Sequence, residues 1–125
     1  MSVTTAAMCF ALVSYREARS ESIAAQIATM QILQNRAKLN HEKPCKELAR
    51  HRQFAWTSKY KIAPPKPIGQ KDLNAWQLSK SLSQSLKKVN VKGIKPNYVY
   101  FNTIKLGKRY KTKTTPIKLG GLLFY

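Results

Sequence analysis

Two stretches in the first third of the chain show the clearest helical patterns of apolar residues. Residues 4–13 are apolar on every side, which is typical of a central helix that is buried all round. Residues 23–38 have apolar positions at helical spacing, but polar residues interrupt them, so we expect one side of this helix to face water. The interrupting residues are Gln26, Gln31, Gln34, Asn35 and Lys38. A polar joint at 15–21 separates the two helices, and Ser20 or Ser22 can N-cap the second.

The chain beyond residue 40 predicts shorter or less regular elements. Pro44 suits the first turn of a short helix at 45–51. Three prolines within residues 60–70 predict an extended surface segment. Asp72 is a suitable N-cap for a third long helix at 73–89. The apolar stripe that we expect to face the core on this helix consists of Leu78, Leu82, Leu86 and Val89.

The last part of the chain has the composition of strands and turns. Residues 98–101 are aromatic and β-branched, which predicts a strand. Residues 104–115 are basic and rich in threonine, which predicts a hairpin or a loop. Residues 119–125 are apolar, so we expect them to be packed or paired.

The positive charge is large and unevenly distributed. With 125 residues, 43% of them apolar, the chain predicts one folded domain with one core and excludes a disordered protein. The net charge is +18, yet residues 1–42 carry four Arg and Lys against three Glu, and residues 43–125 carry nineteen against two acids. Such a field attracts polyanions, whether nucleic acid, anionic lipid or the phosphate-rich polymers of bacterial envelopes. Charge alone does not choose among them, and no recognised nucleic-acid motif accompanies it.

The cysteine and histidine residues do not predict a disulfide framework, a metal site or a nucleophilic site. Two cysteines are too few to predict a disulfide framework, and Cys9, inside an apolar run, is expected to be a free thiol that behaves as a small hydrophobe. The cluster of His41, Cys45 and His51 has poor spacing for zinc and lacks an oxyanion signature, so we expect no metal and no cofactor. The apolar run at 6–13 is too short to span a bilayer and lacks a basic flank, which predicts no signal peptide, no transmembrane segment and a chain made for the cytoplasm.

The polar joint is the strongest candidate for chemistry. Glu17 and Glu21 are two of only five acidic residues, and they lie four residues apart where the two helices meet. One of them can serve as a catalytic carboxylate. Alternatively, both pair with Arg16, Arg19 or Arg36 and merely tie the helices together, which by composition and spacing alone is the commoner outcome.

The joint also resembles a known family. Its sequence Tyr15-Arg16-Glu17-Ala18-Arg19-Ser20-Glu21 resembles the Tyr-x-Glu-Ala-Arg-Gly-Glu signature of the SleB-type cell wall hydrolases, which include spore cortex-lytic enzymes and several phage endolysins. Four further pieces follow in the family's order. They are the Asn35-Arg36 end of the second helix, Cys45 with Gln53-Phe54-Ala55-Trp56, the Tyr100-Phe101 pair, and Gly120-Gly121-Leu122-Leu123-Phe124-Tyr125. Three departures are Arg16 for a common His, Ser20 for Gly, and Leu122 for the terminal His, so no role is assigned to position 122.

The resemblance implies both a fold and a set of site residues. The fold is α+β and mainly helical, a single lysozyme-related catalytic domain over residues 1–125 with a small C-terminal β portion. The implied activity is cleavage of the glycan strand of peptidoglycan, with Glu17 as the catalytic acid and Glu21 as a supporting carboxylate. The aromatic and polar residues matched to the family are expected to bind the sugar chain. They are Tyr15, Gln53, Phe54, Trp56 and Tyr100.

Cleavage of the MurNAc–GlcNAc bond needs a carboxylic acid that protonates the leaving oxygen. In a lytic transglycosylase the same Glu then takes the proton from the C6 hydroxyl, which closes on C1 to give a 1,6-anhydro sugar. Such a Glu must be partly protonated near neutral pH, which burial and a helix C-terminus favour, so we expect Arg16 or Arg19 to point away from Glu17.

The resulting hypothesis is a monomeric phage endolysin of the lytic transglycosylase type. It would accumulate in the cytoplasm of the producing cell and act on the wall after release, with peptidoglycan as substrate and anionic envelope polymers as partners. One alternative is a lysozyme-like muramidase that hydrolyses the same bond. The other is a basic nucleic-acid-binding protein, in which Glu17 would be only a structural ion pair.

Overall fold

A computed structural model describes residues 5–50 and 62–125 of the chain. These residues are about half helical and include a small antiparallel sheet, so the α+β prediction is confirmed. Within residues 5–50 and 62–125, four helices come first, and three strands follow in the last quarter of the sequence. The elements are α1 (Ala6–Ala18), α2 (Ile23–Leu39), α3 (Pro44–Leu48), α4 (Gly69–Gln84), β1 (Phe101–Thr103), a 3₁₀ turn (Ile104–Leu106), β2 (Ile117–Leu119) and β3 (Leu122–Phe124).

Helix α1 is buried on nearly all sides, as its apolar sequence predicts. Thr5 caps its first turn by accepting a hydrogen bond from the Met8 amide. The helix continues to Ala18, so the predicted boundary at residue 13 is wrong, and Glu17 lies in the last helical turn instead of a polar joint. The true joint is the short segment 19–22, in which Ser22 caps α2, as predicted, by accepting from the Ala25 amide.

The predicted wet side of helix α2 is only partly present, since Lys38 is exposed and Gln34 half-buried. Three of its polar residues, Gln26, Gln31 and Asn35, are buried. Gln31 Nε2 donates to the Val91 carbonyl and its Oε1 accepts from the Val91 amide, at 3.4 and 2.8 Å. Asn35 Nδ2 donates to the carbonyls of Lys95 and Tyr98. Since segment 91–98 is irregular, these amide side chains supply the hydrogen bonds that a neighbouring strand would otherwise give it.

Helix α4 differs from its prediction in its start and in its buried face. It begins at Gly69 and not after an Asp72 cap; Asp72 lies in the first turn and its Oδ2 accepts from the Ile68 amide. The residues facing the core are Trp76, Ser79 and Ser83, while Leu78 is 36% exposed. The predicted stripe is confirmed for Leu82 and Leu86, which pack on the core, and wrong for Leu78 and Val89, which are exposed. The helix ends at Gln84, before the predicted residue 89.

The C-terminal residues form a three-stranded antiparallel sheet with β3 in the centre, in the order β1–β3–β2. Phe124 aligns with Phe101 of β1 on one side and with Ile117 of β2 on the other. The first strand begins at Phe101 and not at residue 98, and residues 104–115 contain the 3₁₀ turn and loops. The prediction that the apolar terminus is paired is confirmed, since Leu122–Phe124 is buried between two strands.

A disulfide joins Cys9 of α1 to Cys45 of α3, so the prediction of a free Cys9 thiol is wrong. The spacing of the two cysteines, 36 residues apart, does not reveal this pairing, because it depends on how α3 folds back onto α1. Pro44 opens α3 as expected, but the helix ends at Leu48, before the predicted residue 51. Within the described parts of the chain, the helices are too short or too polar to cross a bilayer.

Candidate active site

Glu17 stands half-buried in the last turn of α1, between buried neighbours on the same helix. Tyr15 and Ala18 are each 2% exposed, so the backbone that carries the carboxylate is anchored in the core. The carbonyl groups at the end of α1 give this region a partial negative charge.

Glu21 follows one turn later and links the helices to the sheet. Its Oε1 accepts a hydrogen bond of 2.7 Å from the Gly121 amide, in the turn between β2 and β3. Its own backbone is held at both ends, because its amide donates to the Ala18 carbonyl and its carbonyl accepts from Gln26 Nε2. Glu21 thereby fixes the joint after Glu17 against the turn that begins β3.

The two glycines of this turn, Gly120 and Gly121, lie against the Glu21 carboxylate. Gly120 has a φ of +58°, and a Cβ at this position would overlap the Glu21 Oε1 atom. A Cβ at Gly121 would lie 3.2 Å from Oε2. The absence of a side chain at both glycines therefore lets the backbone approach the carboxylate closely. Gly120 also has a positive φ, which other residues adopt only with backbone strain.

Tyr15, predicted to bind sugar, is largely a core residue with a polar end. Its ring packs edge-on against Trp76 at 5.5 Å between centroids. The Arg19 guanidinium lies 4.3 Å from the ring centroid, and its Nη1 donates to the Tyr15 hydroxyl. The same Nη1 is 2.7 Å from Asp72 Oδ1. Arg19 therefore points to α4, in agreement with the expectation that at least one arginine turns away from Glu17.

An open cleft of about 490 Å³ lies beside the last turns of α1. Three parts of the chain form it: the end of α1, the proline-containing segment 63–66, and the start of α4. We call it the proline cleft. Its lining residues are Tyr15, Arg16, Arg19, Ala63, Pro64, Pro65, Lys66, Ile68 and Asp72.

Tyr100, the other predicted sugar-binding residue that the structure describes, lies at the opposite end of the sheet from Gly121. Its backbone pairs with Tyr125, whereas the Gly121 carbonyl pairs with Ile104, four residues further along. At about 3.3 Å per residue, roughly 13 Å of strand separates the two ends. The Tyr100 ring stacks on Tyr110 at 4.5 Å. The structure therefore does not place Tyr100 beside Glu21.

A second carboxylate cluster, which the sequence analysis missed, lies between α2 and α3. Glu47 is fully buried, and its Oε1 accepts a 2.8 Å hydrogen bond from Asn40 Nδ2. Arg36 and Arg50 form ion pairs with it at 3.6 and 3.4 Å. Burial lowers the pKa of the Arg36 guanidinium below its ordinary value, and the charge of Glu47 partly opposes that shift. Glu47 is buried between a largely buried Arg36, a more exposed Arg50 and the Asn40 amide, which is typical of a structural ion pair.

Three predicted binding residues, Gln53, Phe54 and Trp56, lie outside the described residues, as does His51. Among residues 5–50 and 62–125, no three metal-ligating side chains come together, and the Cys45 sulfur is bonded to Cys9. Comparisons with protein-family models, with curated proteins and with solved structures gave no match for this chain. The resemblance to the SleB-type hydrolases thus stays a prediction that rests on the quoted residues.

Proposed function

We propose that this protein cleaves the glycan strand of peptidoglycan as a lytic transglycosylase, with Glu17 as its single acid and base. The observation that carries the proposal is the position of Glu17, half-buried in the last turn of a buried helix and followed by a joint that Glu21 ties to the sheet. A rigid support of this kind keeps a catalytic group in place during the reaction. The lysozyme-related character of the fold and the endolysin role belong to the same proposal.

The partners of the other acidic residues favour a mechanism that needs one carboxylate. Glu47 is buried among its cations, Asp72 pairs with Arg19, and Glu42 pairs with Lys46. A hydrolase needs a second carboxylate beside the scissile bond. In this chain that group would have to be Glu21, whose Oε1 is already engaged by the Gly121 amide.

In the proposed reaction, the Glu17 carboxyl group gives its proton to the glycosidic oxygen as the C1–O bond of MurNAc breaks. The resulting carboxylate then accepts the proton of the C6 hydroxyl, and O6 bonds to C1. The products are a new 4-hydroxyl on the leaving sugar and a 1,6-anhydro ring. Glu17 ends protonated, as it began, and no water is consumed.

The charge distribution supports attachment to the wall. The excess of +17 in residues 43–125 would hold the enzyme on anionic envelope polymers and weaken with salt. An endolysin made in the cytoplasm would carry Cys9 and Cys45 as thiols there, because that compartment keeps cysteines reduced, and would form the disulfide after release.

The test is product analysis after incubation with purified sacculi. We expect mass spectrometry to show muropeptides that end in a 1,6-anhydro sugar, one water lighter than a reducing end. Reducing ends alone would indicate the muramidase alternative. Intact sacculi together with tight, sequence-selective DNA binding would favour the nucleic-acid-binding alternative.

Two glutamine variants assign the reaction to its residue. Glu17→Gln removes the transferable proton, so we expect a loss of about 10²–10⁴-fold in rate with an unchanged melting temperature. Glu42→Gln, which removes the same charge from a surface ion pair, is the matched control and should keep full activity. Full activity of Glu17→Gln would exclude Glu17 as the acid.

A further inference from the structure

The segment that joins β1 to β2, residues 104–116, carries a high density of positive charge, and we call it the basic loop. The chain has no acidic residue after Asp72, and among residues 5–50 and 62–125 no carboxylate forms an ion pair with a cation of this loop. Its charge is therefore available to an anionic partner. Five cations lie within nine residues and all are exposed: Lys105, Lys108, Arg109, Lys111 and Lys113.

The basic loop is held in shape by a tyrosine of the core. Tyr125 is fully buried, and its hydroxyl accepts hydrogen bonds from the amides of Arg109 and Tyr110 at 2.8 and 3.3 Å. The same hydroxyl donates to the Asn102 side chain, whose Nδ2 donates in turn to the Gly107 carbonyl at 2.7 Å. The backbone of the loop is thus fixed in advance, so binding a partner through it costs little ordering.

Two large apolar side chains are exposed among these cations. Leu106 is 60% exposed and Tyr110 is 49% exposed. Lys108 Nζ donates to the Thr112 carbonyl at 2.7 Å, so this lysine is engaged inside the loop, while the other cations extend from it. The loop therefore presents an aliphatic side chain and an aromatic ring within a cationic surface. This combination is typical of segments that lie at a membrane interface.

The apolar side chains distinguish a lipid surface from other polyanions. A nucleic acid or a soluble anionic polymer would bind the cations but would gain nothing from Leu106. The Tyr110 ring stacks on Tyr100 at 4.5 Å between centroids, so one face of this ring is not available to a nucleobase. An anionic bilayer uses both kinds of side chain, because its headgroups attract Lys and Arg while its acyl boundary accepts an aliphatic group. The observations therefore favour an anionic lipid surface.

We propose that the basic loop binds the surface of a bilayer that contains anionic lipids. In the bound state, Leu106 enters the boundary between headgroups and acyl chains, and the Tyr110 hydroxyl stays at the level of the headgroups. The lysine and arginine side chains of the loop contact lipid phosphates. This inference goes beyond the proposed function and does not rest on it, since neither Glu17 nor Glu21 belongs to the loop.

The test is co-sedimentation of the full chain with vesicles, either of phosphatidylcholine alone or with about 30% phosphatidylglycerol added to supply anionic headgroups. We expect binding to the anionic vesicles to be about tenfold stronger or more, and to weaken with salt. Leu106→Ser should weaken it by about tenfold, because the aliphatic side chain no longer leaves water. Leu78→Ser, which removes an exposed leucine from α4, is the matched control and should bind like the parent.

A pair of charge variants tests whether the cations of the loop act locally. Lys111→Gln combined with Lys113→Gln should weaken binding to the anionic vesicles by about twentyfold. The control combines Lys71→Gln with Lys80→Gln, which removes the same charge from exposed positions of α4 and should weaken binding by about twofold at most. Equal losses in the two double variants would mean that only net charge matters and would overturn the role of the loop. Melting curves establish that each variant is folded.

Three further outcomes would overturn the proposal. They are equal binding to neutral and anionic vesicles, vesicle binding that Leu106→Ser leaves unchanged, and tighter binding to a short DNA duplex than to anionic vesicles at the same salt concentration. The last would indicate a nucleic-acid surface instead.

Vesicle binding and cleavage of sacculi are measured separately, and Glu17→Gln should bind vesicles like the parent. Intact sacculi together with strong vesicle binding would refute the proposed function alone. Cleaved sacculi without binding to anionic vesicles would overturn this inference alone.

Discussion

The two carboxylate clusters at the ends of α2 differ in what surrounds them. At the end of α2, Glu47 is fully buried and held by Asn40, Arg36 and Arg50. At its beginning, Glu21 is half-buried and bound to a backbone amide of the sheet, one turn after Glu17. A buried carboxylate that pairs with two arginines is typical of a structural ion pair. Under the proposed function, the half-buried carboxyl group of Glu17 would exchange a proton, and burial and partners, more than residue type, would distinguish the two clusters.

Of the substitutions that test this comparison, Glu47→Ala should have the largest effect on stability. Removal of this carboxylate leaves the largely buried Arg36 without its main countercharge, and we expect a loss of about 3–5 kcal/mol in the free energy of unfolding. Activity per folded molecule should be retained. Denaturant titration measures the loss, and Glu42→Ala, whose pair with Lys46 is at the surface, should change stability by less than about 0.5 kcal/mol. A stable but inactive Glu47→Ala protein would move the active site to this cluster.

Gly120→Ala should cause the next largest loss of stability. The substitution places a methyl group against Glu21 Oε1 at a positive φ, and we expect a loss of about 2 kcal/mol. Gly69→Ala is the control, because Gly69 also has a positive φ but open space around the Cβ position. The difference between the two melting curves reports the contact with Glu21. Equal losses would mean that Glu21 moves aside freely and does not fix the joint.

Glu21→Gln should have the smallest effect on stability. The amide oxygen can still accept from the Gly121 amide, so only the charge contribution is lost, about 1 kcal/mol. If Glu21 only positions the joint, the rate on sacculi should fall far less than in Glu17→Gln. A loss as large as that of Glu17→Gln would identify Glu21 as the second carboxylate of a hydrolase.

Much of the helical fold can be predicted from the local sequence pattern. The errors share one cause, which is contacts between residues that are far apart in sequence. The burial of α1 and the cap at Ser22 depend on residues close in sequence, and both predictions are confirmed. Gln31 and Asn35 were assigned to a wet face because their partners lie about 60 residues away and have no local signal. The exposed Leu78 of α4 has the same origin, since the shape of α1 decides which residues fit against it.

The candidate site can be predicted only in part, again because some of its contacts join residues that are far apart in sequence. Glu17 and Glu21 stand out because acids are rare in this chain and because the joint resembles a known signature. The role of Glu21 in holding Gly121 could not be predicted, as the two residues are 100 positions apart. The role of Glu47 could not be predicted, because its burial and its pairing with Arg36 depend on the packing of α3 on α2.

The disulfide between Cys9 and Cys45 encloses both the joint and all of α2. A single proteolytic cut anywhere between these cysteines would leave both pieces in one covalent molecule, with the α1 segment still attached to α3. A cut between Glu17 and Cys45 would place Glu17 and the sheet on different pieces, which the intact disulfide would still hold together. The two pieces of a nicked chain would therefore stay together until a reductant cleaves the disulfide.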